Sequence, residues 1–137
     1  MIEQIEIYLL GLPAFFSYFA IGAILLLLYI TIYNAVTPLN EWQLIQANDT
    51  AAAIALAGSI VGFCLPLASA IENAQSYTDC LLWGVIALIV QLVAFFVVRM
   101  FLPRLVERLK TGEIAAGIIL AAISISVGML NAASMTF

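Results

Sequence analysis

Any chemistry in this chain must come from a few polar side chains set within long apolar runs. Gln91 lies in the middle of one such run, and Ser124 and Asn131 lie in another. Ser59, Ser69 and Ser126 are scattered in the same way. An amide and hydroxyls placed like this have two uses. They can line a polar path or ligand pocket, with Gln91, Ser124 and Asn131 as its candidate lining, or they can tie helices together by hydrogen bonds. The second use is the commoner one, and serine often bonds its own helix backbone. No ionisable side chain is central in any run, which argues against a proton relay. The chain has no histidine and two cysteines, Cys64 and Cys80, which argues against a zinc site. The two cysteines fall at different depths, so no disulfide between them is expected. No nucleophile–base motif, phosphate loop or cofactor fingerprint is present, so the residues point to a non-enzyme without a cofactor.

The second chemical feature is charge. All four basic residues, Arg99, Arg104, Arg108 and Lys110, fall in one short stretch. Four cations cannot form the basic face that nucleic-acid binding needs. The stretch 104–110 is amphipathic, and so is 40–45, with Trp42, Leu44 and Ile45 able to sit near lipid. Glu41, Trp42, Arg104, Arg108 and Lys110 form the candidate surface. It would anchor on anionic lipid headgroups or dock a cytoplasmic protein, and the first is the simpler reading.

These residues must be positioned by membrane helices. Hydrophobic residues make up 66% of the 137-residue chain and charged residues 9%. The mean hydropathy of +1.19 leaves too little polar surface for a water-soluble domain. Four apolar segments, roughly 13–33, 50–71, 80–101 and 114–134, each have about the 20 residues that cross a bilayer as a helix. Helix is required, because isolated strands could not satisfy their backbone groups in lipid. The expected fold is therefore all-α, one domain of four transmembrane helices. No early cation marks a signal peptide, so the first segment reads as a retained span. The loop holding Arg104, Arg108 and Lys110 belongs in the cytoplasm by the positive-inside rule, which puts both termini outside. Asn48, Asp49 and Thr50 are placed to cap the second span, and Thr111 and Glu113 the fourth. Pro66 should kink the second span near Gly62.

A shift of about 64 residues lays span two over span four and suggests two helical hairpins of the same topology. Ala51, Ala52, Ile54, Leu56, Ala57 and Ala68 then meet Ala115, Ala116, Ile118, Leu120, Ala121 and Ala132. Spans two and four are also rich in small residues. Gly58 and Gly62 form a GxxxG, and Gly117, Ala121, Ser124 and Gly128 trace a similar stripe. Small residues let helix backbones approach, and packing drives association in lipid. Spans two and four should form the inner contact, with one and three facing lipid or a neighbouring subunit. A homo-oligomer is expected, because one four-span chain is too small to enclose a generous pathway.

Several strings carry a family resemblance over nearly the whole chain. They are residues 37–45 (Thr-Pro-Leu-Asn-Glu-Trp-Gln-Leu-Ile), Asn48 with Thr50-Ala51-Ala52, Pro66-Leu67-Ala68-Ser69-Ala70, and Trp83-Gly84 with Ile86-Ala87-Leu88. Gln91-Leu92 and the ending Asn131-Ala132-Ala133-Ser134-Met135-Thr136-Phe137 complete the set. The chain resembles the uncharacterised bacterial inner-membrane family typified by YjfL, which is defined by a domain of unknown function. Phe137 stands where the typical member has Trp. The resemblance implies a four-span inner-membrane protein with both ends in the periplasm, and no established activity or site residues. It also implies a gene setting shared with phage-shock-type membrane-remodelling proteins and ATP-grasp proteins, which suggests envelope maintenance and a cytoplasmic membrane-remodelling partner.

The charge argument yields a direct check. A tail cysteine (Glu3→Cys) should react with a membrane-impermeant maleimide in intact cells whose outer membrane is permeabilised. Lys110→Cys should react only after the inner membrane is breached. The reverse pattern inverts the vertical map.

Overall fold

The computed structural model describes residues 1–36, 43, 47–101 and 104–135, and it is all-helical. Among the described residues six helices follow one another: α1 (Ile2–Leu10), α2 (Leu12–Val36), α3 (Thr50–Glu72), α4 (Tyr77–Phe101), α5 (Leu105–Lys110) and α6 (Ile114–Ser134). Four segments among the described residues are long and apolar enough to cross a membrane: Ile2–Val36, Thr50–Glu72, Tyr77–Phe101 and Ile114–Ser134. The first begins well before the residue 13 expected from sequence, because α1 precedes α2 with only Gly11 between them. Gly11 keeps right-handed helical dihedrals, and its N–H donates to the Tyr8 carbonyl at 3.1 Å.

α3 is the centre of the molecule, packed against α2, α4, α5 and α6. Its closest partner is α6, and the reason is residue size. A β-carbon at Gly58 would overlap Ala121, and one at Gly128 would overlap the Gly62 carbonyl. A β-carbon at Gly117 would lie 2.6 Å from the Ala51 carbonyl oxygen. Backbones this close gain dispersion contacts along their whole length, which is how helices adhere where lipid is as apolar as the protein. Pro66 lies inside α3 and has no N–H to give the Gly62 carbonyl its helical bond. That carbonyl instead faces the Cα hydrogens of Gly128, the setting of a weak C–H···O contact.

The contacts advance together along both helices, from Ala51–Gly117 through Gly58–Ala121 to Ser69–Ala132, so α3 and α6 are parallel. α2 and α4 are parallel too, from Tyr18–Tyr77 to Tyr33–Phe95. Both pairs share a sequence offset: 63 residues separate Ser69 from Ala132, and 63 separate Val36 from Arg99. Each hairpin thus lies beside its counterpart in the direction a parallel repeat requires.

Two sequence expectations need correction. Span three does not merely face lipid: Cys80, Gly84, Ala87, Leu88, Gln91, Ala94, Phe95 and Val98 of α4 are buried. Leu25 of α2 reaches the space a side chain at Gly84 would take, so α4 fits between α2 and the α3–α6 pair. Capping also differs. Asp49 caps α3 by accepting from the Ala52 N–H at 3.2 Å, but the Thr111 hydroxyl donates back to the Arg108 carbonyl and so closes α5. Glu113 is the N-cap residue of α6 without a side-chain cap bond, its carboxylate being drawn to Arg108.

These approaches predict unequal glycines. Gly128→Ala should cost roughly 1–3 kcal/mol by overpacking against backbone. Gly11→Ala, where a β-carbon meets nothing nearer than 3.4 Å, should stay within about 0.5 kcal/mol. Thermal unfolding of both variants in one detergent provides the comparison.

Candidate functional site

Two places concentrate polar chemistry, and the first is a junction between α3, α4 and α6. Gln91 is only 2% exposed. Its Nε2 donates to the Ser124 carbonyl at 3.2 Å. Gly62 makes room for that amide, since a β-carbon there would lie 2.8 Å from Nε2. The three helices are thus pinned by one side chain that needs a glycine on α3 and a carbonyl on α6. Gln91 Oε1 and Ser59 Oγ are buried without a hydrogen-bond partner. Ser124 is buried, but its contribution is its carbonyl. Asn131 stands apart from this pair, half-buried with its Nδ2 unpartnered. The candidate polar path is therefore two joined residues and one separate one, among closely packed backbones.

A second polar tie lies at the end of the bundle where α3 meets α4. Ser69 Oγ donates to the Ala132 carbonyl at 3.0 Å. Asn73 Nδ2 in turn donates to the Ser69 carbonyl at 2.9 Å and reaches Ser69 Oγ at 3.2 Å. In the sequence Ser69 stands among the scattered serines and within one of the family strings, with no partner indicated. The repeat offset of about 64 was the available signal, because it brings Ser69 within one residue of Ala132.

The other place is the rim at the opposite end. α5 fixes it, with Leu105, Val106 and Leu109 buried against the bundle. Its polar face is thereby held outward. The Arg104 side chain is 82% exposed and lies 3.9 Å from Glu107, and Arg108 meets Glu113 at 3.2 Å. Such exposed pairs contribute about 0–1 kcal/mol each, so the cations are left available to other anions. Arg99 donates from Nη1 to the Val36 carbonyl at 3.3 Å, tying the last turn of α4 to that of α2. A cavity of about 340 Å³ opens among Arg99, Arg104, Leu105, Val106, Glu107 and Lys110. Lys110 also lines a second opening, with Asn48, Asp49 and Thr50, where α3 and α6 begin side by side. Gly112, at φ +79, makes the turn into α6 that brings these ends together. Of the candidate surface, Arg104, Arg108 and Lys110 share this rim, while Glu41 and Trp42 lie outside the described residues. Among the described residues no three His, Cys, Asp or Glu side chains gather as a metal site would require, and both cysteines are free thiols.

A helical membrane bundle with a closely packed polar junction and a cationic rim is the class these features define. Residues 7–135 match a family described as Domain of Unknown Function (DUF350), and the chain belongs to that family, also called UPF0719. It is 43% identical over 127 residues to the UPF0719 inner membrane protein YjfL of Escherichia coli (strain K12), covering 93% of this chain and 96% of that protein. It is 26% identical over 121 residues to the UPF0719 transmembrane protein YshE of Bacillus subtilis (strain 168), covering 87% and 90%. No solved structure matches. The chain is an integral membrane protein, and its family carries no assigned activity.

The junction sets a measurable expectation. Gln91→Leu loses one hydrogen bond and also removes an unpartnered buried oxygen, so its net cost should stay within about 1 kcal/mol. Gln91→Glu adds a buried charge with no cation beside it and should cost several times more. Thermal unfolding in lipid nanodiscs at neutral pH separates the two.

Proposed function

We propose that this protein is a non-enzymatic component of the bacterial inner membrane that holds a cytoplasmic partner at the lipid surface as part of envelope maintenance. The observation that carries this reading is the construction of the rim. Three buried apolar side chains clamp α5, and that clamp presents Arg104, Arg108 and Lys110 in a fixed array. A cation merely needed to orient a span in the membrane requires no such support. The array suits an acidic face of a membrane-remodelling protein, with anionic headgroups completing the contact. The charge rule supports a cytoplasmic rim and periplasmic termini.

An alternative is a small oligomeric channel or transporter using Gln91, Ser124 and Asn131. The unpartnered Gln91 Oε1 and Ser59 Oγ favour it, since polar atoms buried in lipid often mark a pathway. The backbone contact at Gly62 and Gly128 speaks against it, because it fills the space that water would need. Absent ion flux in liposomes bearing wild type, across ions and voltages, would remove the channel reading.

Charge reversal tests the docking reading. In pull-downs from membranes, Arg104→Glu with Arg108→Glu should lower recovery of co-purifying cytoplasmic protein at least fivefold at unchanged expression. Unaltered recovery rejects the surface.

A further inference from the structure

Charge is distributed unevenly among the openings at the rim. Where α3 and α6 begin, Lys110 stands against Asp49. In a neighbouring opening Arg104 and Arg108 stand against Glu107 and Glu113, and Arg108 is paired with Glu113 at 3.2 Å. The cavity of about 340 Å³ is different. Arg99, Arg104 and Lys110 line it, and Glu107 is the one carboxylate among its described lining residues. Three of the chain's four cations thus surround one space, with two positive charges left unmatched. Glu107 comes no nearer to Arg104 than 3.9 Å. Like charges gathered around one space repel each other until an anion enters it.

The fold holds that excess charge at the edge of the hydrocarbon. Arg99 lies in the last turn of α4, and it donates to the carbonyl of Val36, the last residue of α2. Two membrane-spanning helices therefore end at this level. Along α4, Val85, Ile89, Leu92, Phe96 and Arg99 follow one another at spacings of four and three, which is one face of a helix. Val85, Ile89 and Phe96 are exposed, so Arg99 heads an apolar stripe open to lipid. On the far side of the cavity Arg104 takes a left-handed backbone conformation, φ 61, which L residues rarely adopt. Burial of Leu105, Val106 and Leu109 offsets that strain and keeps Arg104 at the cavity.

We propose that this cavity binds the phosphodiester of an anionic phospholipid, whose acyl chains lie along Val85, Ile89 and Phe96. A phosphodiester spreads its negative charge over two free oxygens, which match the planar donor forks of Arg99 and Arg104. Lys110 adds a point charge. A zwitterionic headgroup would bring its own ammonium into a space already rich in cations, so lipids of net negative charge are preferred. The stripe decides the source of the phosphate. A free anion gains nothing from it, whereas a lipid lays its chains there while its headgroup reaches the basic pocket. The inference does not rest on the docking reading: Arg99 is no part of that surface, and Arg108, which is, does not line this cavity.

The full chain in neutral detergent micelles, doped with either phosphatidylglycerol or phosphatidylcholine, tests it. Native mass spectrometry reads the fraction of protein that retains one lipid. Phosphatidylglycerol should be retained at least fivefold more than phosphatidylcholine. Arg104→Gln and Lys110→Gln should each lower that retention about fivefold, the effect of taking one cation from an anionic lipid surface. Both side chains are exposed, so unfolding temperatures without added lipid should match wild type. Arg108→Gln makes the same change of charge outside the cavity and should lower retention less than twofold. Equal retention of the two lipids, or equal loss in all three variants, overturns the proposal. Displacement of the lipid by an equal concentration of glycerophosphoglycerol, the headgroup without chains, overturns it too and assigns the cavity to a free phosphodiester. Retention untouched by Arg104→Gln and Lys110→Gln, with partner recovery lost on charge reversal at Arg104 and Arg108, leaves the rim to a protein and rejects the lipid site.

Discussion

Backbone contact between α3 and α6 is the constraint on which the other features depend. Lipid offers no hydrophobic reward for bringing two apolar helices together, so they adhere only where atoms touch. Glycine at 58, 62, 117 and 128 removes the side chains that would keep them apart. Once the pair closes, the grooves on either side are defined. α4 enters one of them with its own small residues, Gly84, Ala87 and Ala94, and brings Gln91 to the carbonyl of Ser124. α2 then covers α3 and α4 with Leu25, Tyr29 and Tyr33.

Polar atoms follow from that packing. A carbonyl on a well-formed helix already has one donor, yet its second lone pair can accept another. Gln91 at Ser124 and Ser69 at Ala132 both use this spare capacity. Each joins two helices without breaking either. The two bonds lie at different heights on α6 and so oppose rotation and sliding of that helix. The same side chains that suggest a conduction path thus also serve as fasteners, and the geometry at Gly62 explains why one of them has no room to move.

The two ends of the molecule are built on opposite terms. At the rim, apolar residues of α5 turn inward and cations turn out, an arrangement stable against water or headgroups. At the other end, α1 has no buried residue, and its apolar side chains are exposed.

Much of this was legible in the residues. Absence of charge over four runs of bilayer length forces membrane helices, because four isolated strands could not satisfy their backbone groups in lipid. A 64-residue offset with stripes of glycine and alanine marks spans two and four as neighbours. These are one-dimensional signals, since length, charge and period survive in the sequence itself. Tertiary structure decided what depends on which surfaces meet. It buried α4 as well as α6, gave Thr111 to α5 instead of α6, and joined Gln91 to Ser124 while leaving Asn131 apart. It also showed that the small-residue stripes face each other within one chain, a choice between partners that composition cannot encode, because a glycine admits any backbone that reaches it.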